Sequence, residues 1–384
     1  MFNINRKAPL RPRDEASGGG GLAWFPKNGL DKDIYVEAAN DGMTVSMFLE
    51  KKRSERLGEK SVYYGMTYPE VFAYKHALMA KGEVPPMTAI EECFNYADIK
   101  ISGQFTDPVG KIYQFSDLDV IFPEYISNKI YAGLLKESLV PKLVAETSVV
   151  DSIDFHKIYI EDTEAQRQTG KISIGAEMAT TKISVGKRSI YLQKYGRYLE
   201  VAYEEIDKVR FNMFGRILER VGQQIQIDET DDMIYVLING DGNTDSTPGT
   251  TVESDATGTV ATADVIEWVT CLPTPYRMTD MIGKKALLVE YYSVFFGLSA
   301  PSDQIGVTKL VFPEVHEWDR TIVTSDYFIG IDKRYAVEHI TSGNVLTESE
   351  KIIKRQINGT AVSIRDAFSI IDNDAVAIFD ETHT

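Results

Sequence analysis

The longest continuous helical pattern in the chain runs from about Glu204 to Leu237. Its apolar residues fall on one helical face: Ile206, Val209, Met213, Phe214, Ile217, Val221 and Ile225. Acidic residues at the start of the pattern suit the positive end of a helix. About 34 residues at about 1.5 Å each span about 50 Å, which exceeds the usual helix of a compact domain. We therefore predict a spine helix against which other elements pack.

Two glycines interrupt this pattern. Gly215 and Gly222 are poor helix formers, so each indicates a kink or a neighbour packed close to the helix backbone. The helix is predicted to stop at NGDG, residues 239–242, and the polar, glycine-containing stretch 243–258 predicts a loop.

Before the spine helix, residues 149–202 alternate between apolar and polar side chains, which predicts strands. The polar, glycine-containing stretches EDTEAQRQTGK and SVGKRS predict that part of this region is a long hairpin that projects from the body. Since an isolated hairpin has too little core to be stable in water, we expect it to lie on a neighbouring copy of the chain.

Two further regions precede the hairpin. The stretch 45–97 contains LEKKRSERLGEK and YPEVFAYKHALMAKGE and predicts two or three helices. An apolar run that ends at Phe122 predicts a strand or loop entering a helix from Pro123 to about Leu135, because proline is favoured in the first helical turn.

After the loop, the pattern predicts an α/β unit and then a return to sheet. ATADVIEWVTCLP predicts a helix, KKALLVEYYSVFF a buried strand leading into a helix, and TKLVFP, TIVT and YFIGID further alternating elements. Residues 345–379 predict long antiparallel strands with turns at Asn358-Gly359 and Asp372-Asn373.

The charge, the cysteine content and the distribution of apolar residues argue against several classes of function. The chain carries 41 basic and 57 acidic residues, and its net charge of -16 argues against broad binding to nucleic-acid backbones. Cys93 and Cys271 show neither a disulfide framework nor metal-ligand spacing, so a reducing compartment is expected. The first residues lack a secretory pattern, and no apolar stretch reaches the roughly 20 residues that cross a bilayer. We expect a cytoplasmic protein without a membrane partner.

The patterns also predict no catalytic, cofactor-binding or metal-binding residues. The calcium-like spacing of Asn239, Asp241, Asn243 and Asp245 lacks the glycine at position six and the glutamate at position twelve, so a helix-ending turn is favoured. The histidines form no paired motif: His76, His156, His316, His339 and His383. No nucleophile elbow, phosphate-binding loop or dinucleotide-binding turn is present in the sequence.

The order of these elements resembles the major capsid proteins of tailed bacteriophages, which have the Hong Kong 97 fold. Several segments are similar to parts of that family: TGKISIGAEMATTKIS at 169–184, where only Gly175-Ala176 match its Glu-Gly-Ala loop segment; RSIYLQKYGRYLEVAYEEI at 188–206; LINGDG at 237–242; VTSDYFIGIDKRYAVEHI at 323–340; and RDAFSIIDNDAVAIFD at 365–380. The resemblance covers about 118–380, whereas 22–117 match nothing in that family.

The resemblance implies an α+β fold with an arm, an extended loop, a peripheral domain and an axial domain. We expect the ranges to be a 1–44 N-terminal arm, a 45–117 helical N-terminal region, 118–150 of the peripheral domain, a 151–200 extended hairpin loop, a 201–247 spine helix, a 248–343 axial domain and 344–384 terminal strands. The arm, with its basic residues and the run 18–21 of glycines, is predicted to be either a free tail or a segment lying along a neighbour.

The function that the resemblance implies is a shell of hexamers and pentamers around phage DNA, in a virion assembled in the bacterial cytoplasm. The implied partners are the chain itself, a portal, scaffolding and sometimes decoration proteins, with packaged DNA nearby but not specifically bound. Some relatives form a Lys-Asn isopeptide bond, for which Lys171, Lys182 or Lys187 and Asn358 are candidates that no motif selects. The alternatives are an encapsulin-like compartment around a cargo enzyme and a hydrolase with an unrecognised site.

Overall fold

The structure, a computed structural model, describes residues 30–135, 139–156, 158–160, 183–185, 189–206, 208–241, 250–254, 260–298, 313–320, 327–343, 345–352 and 354–380. The chain divides into two units. Unit 1 comprises Met1–Glu137, Gly196–Gln226 and Asn344–Ser363. Unit 2 comprises Ser138–Tyr195, Ile227–Gly343 and Ile364–Thr384.

Helices and strands both contribute, so the mixed α+β prediction is confirmed. The helices are α1 Asp33–Asn40, α2 Val45–Leu57, α3 Tyr68–Ala80, α4 Ala89–Tyr96, α5 Ser116–Leu134, α6 Val140–Leu143, α7 Tyr203–Ile206, α8 Phe211–Asn239, α9 Thr262–Thr270 and α10 Lys285–Leu298, with 3₁₀ helices at Val109–Gln114 and Asn373–Ala375. The strands are β1 Glu146–Val149, β2 Asp154–Phe155, β3 Ile158–Ile160, β4 Ile183–Val185, β5 Ile190–Tyr191, β6 Gln193–Ala202, β7 Thr250–Glu253, β8 Asp280–Gly283, β9 Glu314–Glu317, β10 Tyr327–Ile331, β11 Val337–Thr341, β12 Leu346–Ile352, β13 Ile357–Ile370 and β14 Val376–Asp380.

Unit 1 contains α1 to α5, and the helices predicted in 45–97 are confirmed as α2, α3 and α4. Threonine caps set their starts. Thr44 Oγ1 accepts a hydrogen bond from Met47 N at 3.3 Å, and Thr67 N donates to Glu70 Oε2 at 2.7 Å. Both arrangements satisfy backbone N–H groups that the first helical turn leaves without partners.

Helix α5 begins earlier than the sequence predicted. The strand or loop expected before Pro123 is wrong, because Leu118, Ile121 and Phe122 are buried at helical spacing and belong to the same helix. Pro123 therefore lies inside the helix rather than at its start. Burial of an apolar helical face outweighs the local preference of proline for a first turn.

The long helix is confirmed, but its predicted start is wrong. It spans 29 residues as α8 rather than running from Glu204, and Tyr203–Ile206 forms the separate short helix α7. Backbone hydrogen bonds explain the break. Val109 N donates to Val209 O at 2.9 Å and Phe211 N donates to Asp107 O at 3.1 Å, so the chain before α8 pairs with a neighbouring segment instead of with a helical turn.

In unit 1, α5 and the first half of α8 cross at glycines. A Cβ atom on Gly133 would lie 2.0 Å from Glu219 O, and one on Gly222 would lie 2.1 Å from Ile130 O. Such distances are far below van der Waals contact, so these backbones approach closely only because both positions lack a side chain. The close neighbour predicted at Gly222 is confirmed, whereas the nearest atom to a Cβ on Gly215 would be 3.8 Å away.

Unit 1 also holds a β-hairpin. Strand β12 pairs antiparallel with the first half of β13, from Leu346↔Ser363 to Ile352↔Ile357, and β6 also pairs with β13. The turn predicted at Asn358-Gly359 is wrong, since both residues lie inside β13. Gly359 instead makes room for Tyr198, whose Oη would lie 1.7 Å from a Cβ at that position.

Unit 2 contains a five-stranded sheet in the order β7-β14-β10-β8-β9. Strands β14 and β7 are parallel, as are β8 and β9, whereas β10 is antiparallel to both of its neighbours. Strand β11 pairs parallel with β1 and antiparallel with the end of β13. The turn predicted at Asp372-Asn373 is confirmed, with the 3₁₀ helix leading into β14.

Two of the apolar clusters in the described part of unit 2 include residues of this five-stranded sheet. One includes Met233 and Ile234 of α8 with Ile282, Ile329 and Val376 of the strands. The other gathers fully or largely buried side chains of α9, α10 and the same strands, including Trp268, Met281, Leu288, Tyr291 and Phe328. Because Met281 and Ile282 join different clusters, alternate residues of β8 face opposite sides, as strand geometry requires.

The stretch KKALLVEYYSVFF was predicted to be a buried strand leading into a helix, and the strand part of this prediction is wrong. It forms helix α10, and the buried strand lies just before it as β8. Leu287, Leu288 and Tyr291 are buried at helical spacing, which settles the assignment. None of the helices within the described ranges combines the length and apolar character that crossing a bilayer requires.

Candidate functional site

The base of the predicted hairpin is a two-stranded antiparallel ribbon in unit 2. Asp154↔Tyr191 and Phe155↔Ile190 form its first ladder. Ile158↔Val185 to Ile160↔Ile183 form its second. The antiparallel pairing predicted for this region is confirmed over these strands, and the hairpin's far part, 161–182, lies outside the described residues.

This ribbon is anchored at one end to a sheet. Ile190 and Leu192 are buried together with Ile340 and Ala367, and Phe155 packs against the same cluster. At the return strand, Tyr195 Oη donates a hydrogen bond to Asp232 Oδ2 of α8 at 2.7 Å. Burial raises the pKa of Asp232, and this hydrogen bond opposes the rise. The ribbon thus starts from a packed base and runs on as two paired strands.

The calcium-like segment is only partly described. Asp241 Oδ2 accepts hydrogen bonds from Ser369 Oγ at 3.0 Å and from Ile370 N at 3.2 Å. Asn239 Nδ2 donates to Tyr235 O at 3.1 Å, as in a helix-ending turn. Asn243 and Asp245 lie outside the described residues.

Of the cross-linking candidates, Asn358 lies within the described residues. Lys171, Lys182 and Lys187 lie outside the described residues. Asn358 Nδ2 donates to Tyr113 Oη at 2.9 Å in unit 1.

The histidines occupy different surroundings. The His76 and Phe72 ring centroids lie 5.9 Å apart with tilted planes in unit 1, and the exposed His156 lies 4.0 Å from Asp154. His339 Nε2 lies 3.3 Å from Asp366 Oδ1, a fully buried carboxylate. His383 lies outside the described residues.

His316 belongs to a cluster that the sequence analysis missed. Its Nε2 atom lies 3.0 Å from Asp280 Oδ1, and one potential ligand atom from each of Asp280, Glu314 and His316 falls within 4.8 Å of the others. The useful signal in the sequence was Glu314-Val315-His316, because a two-residue spacing puts Glu and His on one face of a strand. Asp280 is far away along the chain and joins them only through the parallel pairing of β8 with β9.

No protein-family model matches the chain, and no curated protein matches it in sequence.

Solved structures of protein shells do match. They include the capsid of a native GTA particle, at 15% identity and TM-score 0.47 over 65% of this chain and 90% of that chain. The capsid of cyanophage P-SCSP1u matches at 11% identity and TM-score 0.47 over 64% and 88% of the two chains. The holo-SrpI encapsulin complex of Synechococcus elongatus PCC 7942 matches at 13% identity and TM-score 0.45 over 64% and 89%. These similarities cover about two thirds of this chain, at identities of 15% or less.

Proposed function

We propose that this chain is a structural shell protein, a major capsid protein that assembles with copies of itself around phage DNA. The observation that carries the proposal is the anchored antiparallel ribbon formed by β2 to β5. A two-stranded ribbon is at best marginally stable in water, so a long one needs a surface to lie on. A neighbouring copy supplies that surface in a ring or shell.

The order of elements agrees with this role. A packed ribbon, the long helix α8 and a mixed five-stranded sheet follow one another along the chain. That is the order in which the sequence resembles the extended loop, spine helix and axial domain of Hong Kong 97-type capsid proteins. The seven ranges assigned from the sequence, from the 1–44 arm to the 344–384 strands, belong to this proposal.

The finer parts of the proposal concern assembly. Each ribbon and arm covers a neighbouring subunit, so apolar area is buried only in hexamers and pentamers. Many weak contacts then act together when the shell closes. A portal, scaffolding and decoration proteins are the further partners, the location is the virion after assembly in the host cytoplasm, and no catalytic step is involved.

The test compares the full chain with a variant in which 161–182 are replaced by Asn-Gly. That turn joins β3 directly to β4 and keeps their register, because Asn-Gly favours a tight hairpin. We expect capsomers or particles from the natural chain in gel filtration with light scattering and in negative-stain microscopy. The shortened variant should keep its circular dichroism spectrum and melting transition but stay small.

Two outcomes would contradict the proposal. One is a natural chain that remains monomeric at high concentration. The other is a shortened variant that forms full shells. Particles that protect a protein cargo from protease, rather than DNA from nuclease, would instead identify an encapsulin-like compartment.

A further inference from the structure

Three potential metal ligands meet at the edge of the five-stranded sheet in unit 2. Strand β9 is the last strand of that sheet and pairs parallel with β8, in a register that sets Asp280 opposite Glu314 and Ile282 opposite His316. Residues two apart on a strand share a face, so Glu314 and His316 point to the side on which Asp280 lies. Their candidate ligand atoms fall within 4.8 Å of one another.

Asp280 has an unsatisfied oxygen in this cluster. Its side chain is 1% exposed, and its Oδ1 atom is hydrogen-bonded to His316 Nε2. Its Oδ2 atom is buried and accepts no hydrogen bond from any residue that the structure describes. A buried carboxylate oxygen without a donor is costly, which favours a cation beside it.

Lys333 competes with a metal cation for the position beside this oxygen. Lys333 Nζ lies 3.6 Å from Asp280 Oδ2, too far for a hydrogen bond, and its side chain is 45% exposed. Arg334 is already held by Asp332, with Nε and Nη2 at 2.9 and 2.7 Å from its two carboxylate oxygens. Lys333 can therefore swing into solvent, whereas Arg334 stays with its own partner.

Solvent has access to the cluster. A recess of about 430 Å³ is lined by Asp280 and Glu314, together with Lys142, Lys333 and Arg334. An ion can enter there without unfolding the sheet, and water can fill coordination positions that the protein leaves open.

We infer that Asp280, Glu314 and His316 form a binding site for a divalent transition-metal ion, with Zn²⁺ as the reference ion. One imidazole nitrogen and two carboxylate oxygens are ligands that Zn²⁺ accepts, and three protein ligands leave a further position for water. Tetrahedral bonds of about 2.0–2.1 Å require ligand atoms about 3.4 Å apart, which small side-chain rotations achieve from the observed separation. The ion ties edge strand β9 to β8 and displaces the Lys333 ammonium.

The site is tested by titrating the full-length chain with Zn²⁺ in a calorimeter and with Co²⁺ in an absorption spectrometer. We expect one ion per chain that is lost or weakened at least about tenfold in Glu314→Gln and His316→Gln, since even indirect support of a metal ligand is worth about that much. The matched control is Glu317→Gln, on the same strand and of the same charge but on the opposite face, where Val315 packs. It should bind like the natural chain.

Lys333→Gln is expected to have the opposite effect on the affinity for Zn²⁺. Removing the competing ammonium should tighten Zn²⁺ binding and raise the melting temperature in the presence of Zn²⁺ more than in the natural chain. The inference is overturned if the natural chain binds no Zn²⁺, or if Glu314→Gln binds as tightly as Glu317→Gln. Since Glu314 is exposed, its variant is expected to fold even if His316→Gln does not. The result does not depend on whether the chain forms shells.

Discussion

At the residue scale, glycine positions in α5 and α8 decide how closely two helices pack. Gly133 and Gly222 each lie against the backbone of the facing helix in unit 1, where an added Cβ would lie 2.0 and 2.1 Å, respectively, from a carbonyl oxygen. For Gly215, seven residues before Gly222 on the same helix, the nearest atoms to a Cβ would be Lys129 side-chain carbons at 3.8 Å, an ordinary van der Waals contact. The two positions of α8 therefore form a matched pair that separates packing from helix propensity.

We predict opposite effects for alanine at these positions. Gly222→Ala should lower the free energy of unfolding by about 1–3 kcal/mol or more, because the added methyl group forces the helices apart. Gly215→Ala should raise it by about 0.5–1 kcal/mol, because alanine favours the helix and meets nothing closer than 3.8 Å. Urea denaturation of both variants measures the difference, and equal effects would contradict the packing described for Gly222.

Glu124 supplies a pH-dependent prediction. Burial raises its pKa above the ordinary 4.5, although hydrogen bonds from the Ser46 hydroxyl and backbone N–H oppose the rise. Between the ordinary and the raised pKa, the folded chain binds more protons than the unfolded chain. The stability contribution of this group is therefore complete below pH 4.5 and is lost as the pH rises through the raised pKa.

Glu124→Gln should remove this dependence, since an amide oxygen can still accept from Ser46 but does not ionise. The free energy of unfolding of the natural chain should fall relative to the variant as the pH rises from 4 to 8, at about 1.4 kcal/mol per unit of raised pKa. Denaturant titrations at several pH values measure it. A constant difference between the two proteins over that range would show that Glu124 does not titrate with a raised pKa.

At the element scale, the β12–β13 hairpin shows how tertiary contacts decide which residues form a turn. Its ladder closes at Ile352↔Ile357, and residues 354–356 form a turn. Gln356 has φ 53°, a left-handed conformation that costs most residues about 1–2 kcal/mol but asparagine less. The Asn-Gly pair is a strong turn signal by itself, but here it lies inside the strand. Asn358 donates a hydrogen bond to Tyr113, and Gly359 leaves room for the Tyr198 side chain.

Gln356→Asn should therefore raise the free energy of unfolding by up to about 1 kcal/mol. Gln356→Val should lower it, because a β-branched side chain tolerates a positive φ poorly. Thermal unfolding of the two variants beside the natural chain measures both effects. If Gln356→Val raised the free energy of unfolding instead, residue 356 would not have the positive φ described for this turn.

At the scale of the whole molecule, the net charge of -16 sets a prediction about assembly. Copies that carry the same net charge repel each other, and salt screens that repulsion beyond about 10 Å at 0.1 M. If the proposed shell forms mainly by burial of apolar area, light scattering should show faster assembly at 0.5 M than at 0.05 M NaCl. Slower assembly at high salt would indicate that paired opposite charges dominate the subunit contacts.

The sequence by itself determined the kinds of element where a pattern is long and local. The amphipathic period predicted α8, the polar-apolar mixing in 45–97 predicted its helices, and alternation predicted the ribbon strands. Each of these depends on side chains a few residues apart, so the nearby sequence carries the information.

Only the tertiary structure decided where those elements begin and which side chains meet. Because residues 107–109 pair with 209–211, α8 begins later than its amphipathic pattern predicts. Because Leu118 and Ile121 are buried, α5 begins before Pro123. Because Tyr198 lies against Gly359, the hairpin turn does not form at Asn358-Gly359. The cluster of Asp280 with His316 arises from strands that are neighbours in the sheet but distant in the chain. Such contacts are formed by packing between distant segments, and no local period of the sequence encodes them.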